Sequence, residues 1–183
     1  LDRGGGPITG MLGAGNVVEL AGGTLELSGS TGAGTRLTGA AMRVDGAGTL
    51  AINRLGIAGD HVTTGFDCPI SVTDSGTLAF DYRGAFVGPT LPPVRYRGTT
   101  TSTGTITLEG DATFSVTNTS GGTAEVILTG SLVAPAGAAL TKAGDQTLTL
   151  ACGGSVSGPT RVAAGTLRIA APGLLASSSV TVA

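Results

Sequence analysis

A five-residue pattern, Gly-Thr-apolar-x-apolar, returns along almost the whole chain and leaves few folds open to it. It reads Gly23-Thr24-Leu25-Glu26-Leu27, Gly48-Thr49-Leu50-Ala51-Ile52, Gly76-Thr77-Leu78-Ala79-Phe80, Gly104-Thr105-Ile106-Thr107-Leu108 and Gly165-Thr166-Leu167-Arg168-Ile169. Gln146-Thr147-Leu148-Thr149-Leu150 lacks only the glycine, and Gly122-Thr123-Ala124-Glu125-Val126 is a weaker copy. Each copy alternates apolar and polar residues, the pattern of a short strand with one buried face. The threonines fall at 24, 49, 77, 105, 123, 147 and 166, in steps of 25, 28, 28, 18, 24 and 19. A repeat of that length with two or three short strands is one coil of a β-solenoid, in which each coil touches only its neighbours. A β-sandwich would also accept the strand spacing, but it has no reason to repeat one motif seven times.

The pattern assigns faces. Leu25, Leu50, Leu78, Leu148 and Leu167 are expected to stack inward in a column, with Thr24, Thr49, Thr77, Thr147 and Thr166 outward on a pleat that favours β-branched residues. The glycine ahead of each threonine permits a tight corner, through positive φ or close approach of a neighbouring coil. Cys68 and Cys152 are separated by four motif steps. At about 4.8 Å per strand that is roughly 19 Å, well beyond the roughly 7 Å Cα limit of a disulfide. No bridge between them is expected.

Composition removes other classes. Gly and Pro together are 41 of 183 residues, but 40% of the chain is hydrophobic and only 12% charged. Disorder needs the reverse balance. No apolar run approaches a membrane span, and the net charge of −2 with no basic block argues against nucleic acid as a partner. Opening LDRGGGPITG without Met or a signal peptide, the chain reads as a mature or excised segment forming a single domain over 1–183.

At the C-terminal end the motif gains a context. Leu140-Thr141-Lys142-Ala143-Gly144-Asp145-Gln146-Thr147-Leu148-Thr149-Leu150 leads through Gly158-Pro159-Thr160-Arg161-Val162-Ala163-Ala164-Gly165-Thr166-Leu167-Arg168-Ile169 to Ser179-Val180-Thr181-Val182. Residues 138–183 closely resemble the autotransporter-associated β-strand repeat, also called the passenger-associated transport repeat. Its run is L-T-K-x-G-x-G-T-L-T-L followed by G-x-T-x-V-x-x-G-T-L. Asp145-Gln146 and Cys152-Gly153-Gly154-Ser155-Val156 depart from it at corners, not in strands. The resemblance implies a right-handed parallel β-helix from a large bacterial surface or secreted protein, similar to structural stalk segments that carry no catalytic residues.

Catalytic patterns are missing. There is no G-x-S-x-G elbow and no P-loop. His61 is the only histidine, so a triad has one candidate base and a two-His metal site none. Solenoids that cleave polysaccharides need paired carboxylates; the candidates are Asp60, Asp67, Asp74 and Asp81, of which Asp60 and Asp74 sit in ordinary turn contexts. Asn118-Thr119-Ser120 matches a glycosylation sequon but reads as a turn. No cofactor, metal or catalytic residue is assigned.

One segment, 82–103, fits no coil: YRGAFVGPTLPPVRYRGTTTST. It concentrates Tyr82, Arg83, Phe86, Arg95, Tyr96 and Arg97, residue types enriched at interface hot spots. These six are the interface candidates, on a loop that either protrudes to a partner or folds back over its own flank. The expectation is an all-β, right-handed parallel β-helix of about seven to eight coils. Its expected role is non-catalytic: a secreted or cell-surface stalk, passenger segment, adhesion element or self-assembling filament subunit. The partners expected are other copies of itself, stacking axially through Leu1–Gly10 and Ser177–Ala183, or adjoining passenger segments, with surface glycans as possible ligands. A polysaccharide-binding or polysaccharide-cleaving β-helix is the alternative.

Overall fold

The computed structural model describes residues 15–29, 36–37, 39–54, 61–84, 97–171 and 176–183. Their regular structure is entirely β. The chain runs through β1 (Val17–Ala21), β2 (Thr24–Gly29) and β3 (Arg36–Leu37) in a first turn, and β4 (Ala41–Asp45), β5 (Ala47–Arg54) and β6 (His61–Phe66) in a second. β7 (Ile70–Val72), β8 (Gly76–Gly84) and β9 (Arg97–Ser102) make the third turn, and β10 (Ile106–Leu108), β11 (Ala112–Asn118) and β12 (Ala124–Leu128) the fourth. The fifth holds β13 (Ser131–Val133), β14 (Leu140–Ala143) and β15 (Thr147–Leu150), and the sixth β16 (Gly153–Ser155), β17 (Thr160–Val162) and β18 (Thr166–Ile169). β19 (Val180–Val182) belongs to a seventh.

Every third strand joins the same sheet. The first sheet is β1-β4-β7-β10-β13-β16, the second β2-β5-β8-β11-β14-β17-β19 and the third β3-β6-β9-β12-β15-β18. All the ladders are parallel. The fold is therefore a three-sided parallel β-helix, with six complete turns and one strand of a seventh among the described residues.

The repeat motif does not mark one place per turn. Thr24 stacks on Thr49 in the second sheet, but Thr49 stacks on Ala79, two residues past Thr77. Thr105 precedes a strand of the first sheet and Thr123 one of the third, while Thr147 and Thr166 open strands of the third. The motif describes a chain leaving a corner and entering a strand, and each turn has three such places. Cys68 and Cys152 accordingly lie three turns apart rather than four, in equivalent corners before β7 and β16. Both are buried and free.

The alternation itself points as expected. Leu50, Leu78 and Leu148 are fully buried, whereas Leu25 and Leu167, in the first and sixth turns, are half-buried against the core. Thr24 and Thr166 are exposed, and Thr49, Thr77 and Thr147 half-buried on the outer side. Among the motif glycines only Gly165 has a positive φ, 68°. At Gly104 close approach decides, since a Cβ there would lie 2.1 Å from the Cys68 carbonyl oxygen.

The segment expected to protrude is shorter than 82–103. Its first residues complete β8 and its last form β9, both laddered on neighbouring turns. The connection between them, 85–96, lies outside the described residues.

Candidate functional site

Of the six interface candidates, Phe86, Arg95 and Tyr96 lie outside the described residues. Tyr82 is in the core, only 3% exposed. It has the same strand parity as Leu78 and Phe80, so its ring points inward and packs on Gly98, where a Cβ would sit 2.2 Å from its Cε1. The phenol shares a 2.5 Å hydrogen bond with the Thr100 hydroxyl and donates to the Glu125 carbonyl at 3.2 Å. Thr100 in turn shares a 2.6 Å bond with Thr64. Burial pushes the Tyr82 hydroxyl well above the usual tyrosine range. Tyr82 is thus a core residue and not a docking one. Small inward residues on β9 (Gly98, Thr100, Ser102) make room for it.

Arg83 points the other way. Its Nε donates to Asp81 at 2.6 Å, and Thr117 donates to the second oxygen of that carboxylate at 3.1 Å. Arg97 is exposed and stacks beside His61 in the third sheet. The charged residues that remain from the candidate set therefore flank one corner, between the second and third sheets.

Three of the four candidate carboxylates are described; Asp60 is not. Asp67 accepts a hydrogen bond from the Thr103 hydroxyl at the corner between the third and first sheets. Asp74, at the corner between the first and second sheets, accepts from the Asp111 amide at 2.9 Å. Asp111 repeats the contact one turn on, accepting from the Ala139 amide at 2.8 Å. Asp81 serves Arg83 and Thr117 on the outer face of the second sheet. Each described candidate is thus engaged in fastening one turn to another or to its own strand. No group of three or more His, Cys, Asp or Glu among the described residues could hold a metal ion. No described helix is long and apolar enough to cross a membrane.

Three structural devices escaped the sequence reading. The Asp74–Asp111–Ala139 ladder is one. The Arg43–Glu109 pair, 2.6 Å, is another; it reaches from the second turn to the fourth. The third is Lys142, which is fully buried. Its ammonium donates to the carbonyls of Ala143 (2.6 Å), Gly144 (2.8 Å) and Ala164 (3.1 Å), tying the corner of the fifth turn to that of the sixth. Loss of solvent lowers its pKa to about 8, opposed by the nearby Asp145. The signal was present: Lys142 shares the inward parity of Leu140 two residues earlier. At the adjoining departure from the repeat, Gln146 accepts the Ala124 amide at 2.8 Å, doing inter-turn work that a glycine could not.

Comparison with protein-family models, curated proteins and solved structures yields no match for this chain.

Proposed function

We propose that this chain is a structural, non-catalytic segment of a bacterial surface or secreted protein. In this reading it is a stalk or passenger portion of the autotransporter-repeat type, able to assemble into filaments. What carries the reading is the use made of polar chemistry: Asp74 and Asp111 cap backbone amides of following turns, and Lys142 is enclosed on three carbonyls. Those groups hold the stack together. A catalytic pair of carboxylates needs oxygens free to meet a glycosidic bond across an open groove.

The test is a pair of measurements on the purified 183-residue chain. Incubation with neutral and acidic polysaccharides should release no reducing ends or unsaturated products, and negative-stain images should show rods. Product release that disappears in Asp74→Asn would overturn the structural reading in favour of a polysaccharide-cleaving β-helix.

A further inference from the structure

After β14 the chain rounds a corner through Gly144 into β15, and one turn later it rounds the same corner through Gly165 into β18. Both glycines are left-handed, with φ of 75° and 68°, a conformation that breaks the alternation of a strand. The carbonyls of Ala143 and Gly144 consequently face the same side. Gly165 keeps that side clear, since a Cβ there would lie 2.5 Å from the Gly144 carbonyl oxygen. The amides of the sixth turn go elsewhere: Ala163 donates to the Lys142 carbonyl and Thr166 to that of Gln146. Three oxygens, from Ala143, Gly144 and Ala164, thus converge on one point, and Lys142 Nζ occupies it at 2.6, 2.8 and 3.1 Å. The ammonium reaches this point from the core. Lys142 stacks between Phe114 and Val162 on the inner side of the second sheet and has no exposure. An apolar side chain would fill the column as Phe114 does, but would leave the three oxygens without a donor. Asp145 is the carboxylate whose field reaches the ammonium, and it favours the charge.

We propose that this corner is a monovalent-cation site built from backbone carbonyls, with the Lys142 ammonium as its tethered occupant. The class of ion follows from the geometry. Oxygens at 2.6 to 3.1 Å suit an ammonium or K+, ions for which carbonyl oxygens stand in for the hydration shell. Mg2+ and Ca2+ require oxygens at about 2.0–2.6 Å, supplied largely by carboxylates and water. Three neutral oxygens beside one carboxylate balance a single positive charge. In the natural protein the lysine keeps the site filled, so the joint between the fifth and sixth turns does not depend on dissolved ions. Without the lysine, the cage takes K+ or ammonium from solution. The site belongs to the architecture itself and stands independently of the stalk reading above.

The experiment empties the cage and offers it ions. Lys142→Met keeps an apolar stem in the column and vacates the position of Nζ. Urea unfolding at pH 7 is followed in KCl, in ammonium chloride and in tetramethylammonium chloride, whose cation is too bulky for the three oxygens. In KCl and ammonium chloride the unfolding constant of Lys142→Met should fall about tenfold for each tenfold rise in cation once the site begins to fill, the slope of one bound ion. Tetramethylammonium should give no such slope, and the natural protein should show none in any of the three salts. Adding Asp145→Asn to Lys142→Met should move the K+ titration to higher concentration. Equal behaviour of Lys142→Met in K+ and tetramethylammonium would overturn the proposal, because water would then be satisfying the carbonyls. If Lys142→Met is unfolded in tetramethylammonium, refolding on addition of K+ becomes the readout. A chain that stays unfolded at every K+ concentration would overturn the proposal as well. A natural protein that responds to K+ as strongly as the variant would sink it, since the ion would then be acting outside the cage.

Discussion

The third turn and the sixth build the same three-sided cross-section by different means. From Ile70 to its partner Ile106 the chain takes 36 residues, whereas from Thr160 to its partner Val180 it takes 20. The extra length of the third turn goes mainly into the connection 85–96. Its interior differs as well. Phe80 and Tyr82 reach across the core, with Phe66 of the preceding turn 6.4 Å from Phe80 between ring centroids. The strand opposite is correspondingly small. In the fifth and sixth turns no aromatic is present, and the corners close on glycine and on Lys142. Strand register is the invariant in this fold. Corner length and core volume are exchanged against each other around it.

The largest effect should come from breaking a column in the wide turns. Leu78→Asp would put an unpaired charge at a site with no exposure, costing several kcal/mol or more. The protein should fail to accumulate in soluble form. The same change at half-buried Leu167 should leave a soluble protein with a lowered urea midpoint. Equal damage at both sites would mean that the terminal turns are as tightly built as the middle.

A glycine pair probes the corners. Gly144 and Gly22 have nearly the same φ, 75° and 77°. A Cβ at Gly22 meets nothing within 4 Å, but one at Gly144 would lie 2.2 Å from the Val116 carbonyl oxygen. Gly22→Ala should therefore cost only the left-handed penalty, about 1–2 kcal/mol. Gly144→Ala adds the displacement of a neighbouring turn, for a total of about 3 kcal/mol or more. Chemical denaturation of the two variants checks this; a difference near zero would show that the short turns give way as easily as the long ones.

The strands and their inward faces could be read from the alternation, because period two is a local property of pleated backbone. The phase of the motif and the placing of the docking segment were harder. Gly-Thr-Leu marks any passage from corner to strand, so Thr77 and Thr105 look like successive repeats although one lies in a strand of the second sheet and the other leads into a strand of the first. Arginine and aromatic content likewise marked 82–103 as a docking loop, while strand parity, which the sequence does contain, sends Tyr82 inward. The Asp74–Asp111 ladder had no such signal, since the two residues are brought together only by the 36-residue turn between their strands.

Lys142 gives the short turns a pH dependence opposite in sign to that of the wide third turn, where burial raises Cys68 and Tyr82. Its folded pKa of about 8 lies below the ordinary 10.5, so between these values the unfolded chain holds more protons. Stability should therefore rise with pH from about 8 upward, by at most about 3 kcal/mol across the full interval. Below pH 8 both states are protonated and the contribution is flat. Above pH 10 the raised Tyr82 acts in the opposite sense, since the unfolded phenol ionises first. Urea midpoints should climb from pH 7 to pH 9 for the natural protein and stay level over that range for Lys142→Met; above pH 9 both profiles should bend downward, because burial raises the thiols of Cys68 and Cys152 and the unfolded thiols ionise first. A level profile in both would mean that the ammonium is fully compensated by its three carbonyls.

The smallest effect belongs to the wide turn's own polar contact. Tyr82→Phe keeps the ring over Gly98 and removes only the hydroxyl that meets Thr100 and the Glu125 carbonyl. Thr100 keeps Thr64 as a partner, and the Glu125 carbonyl loses only a long donor at 3.2 Å. The net loss should be about 1 kcal/mol, the usual value of a buried neutral hydrogen bond. Tyr82→Ala should cost about 3–5 kcal/mol, because it empties the space that Gly98, Thr100 and Ser102 leave for the ring. The ratio between the two variants separates volume from hydrogen bonding. If phenylalanine costs nearly as much as alanine, then the third turn is held by its polar network, and the contrast with the short turns is one of chemistry rather than of space.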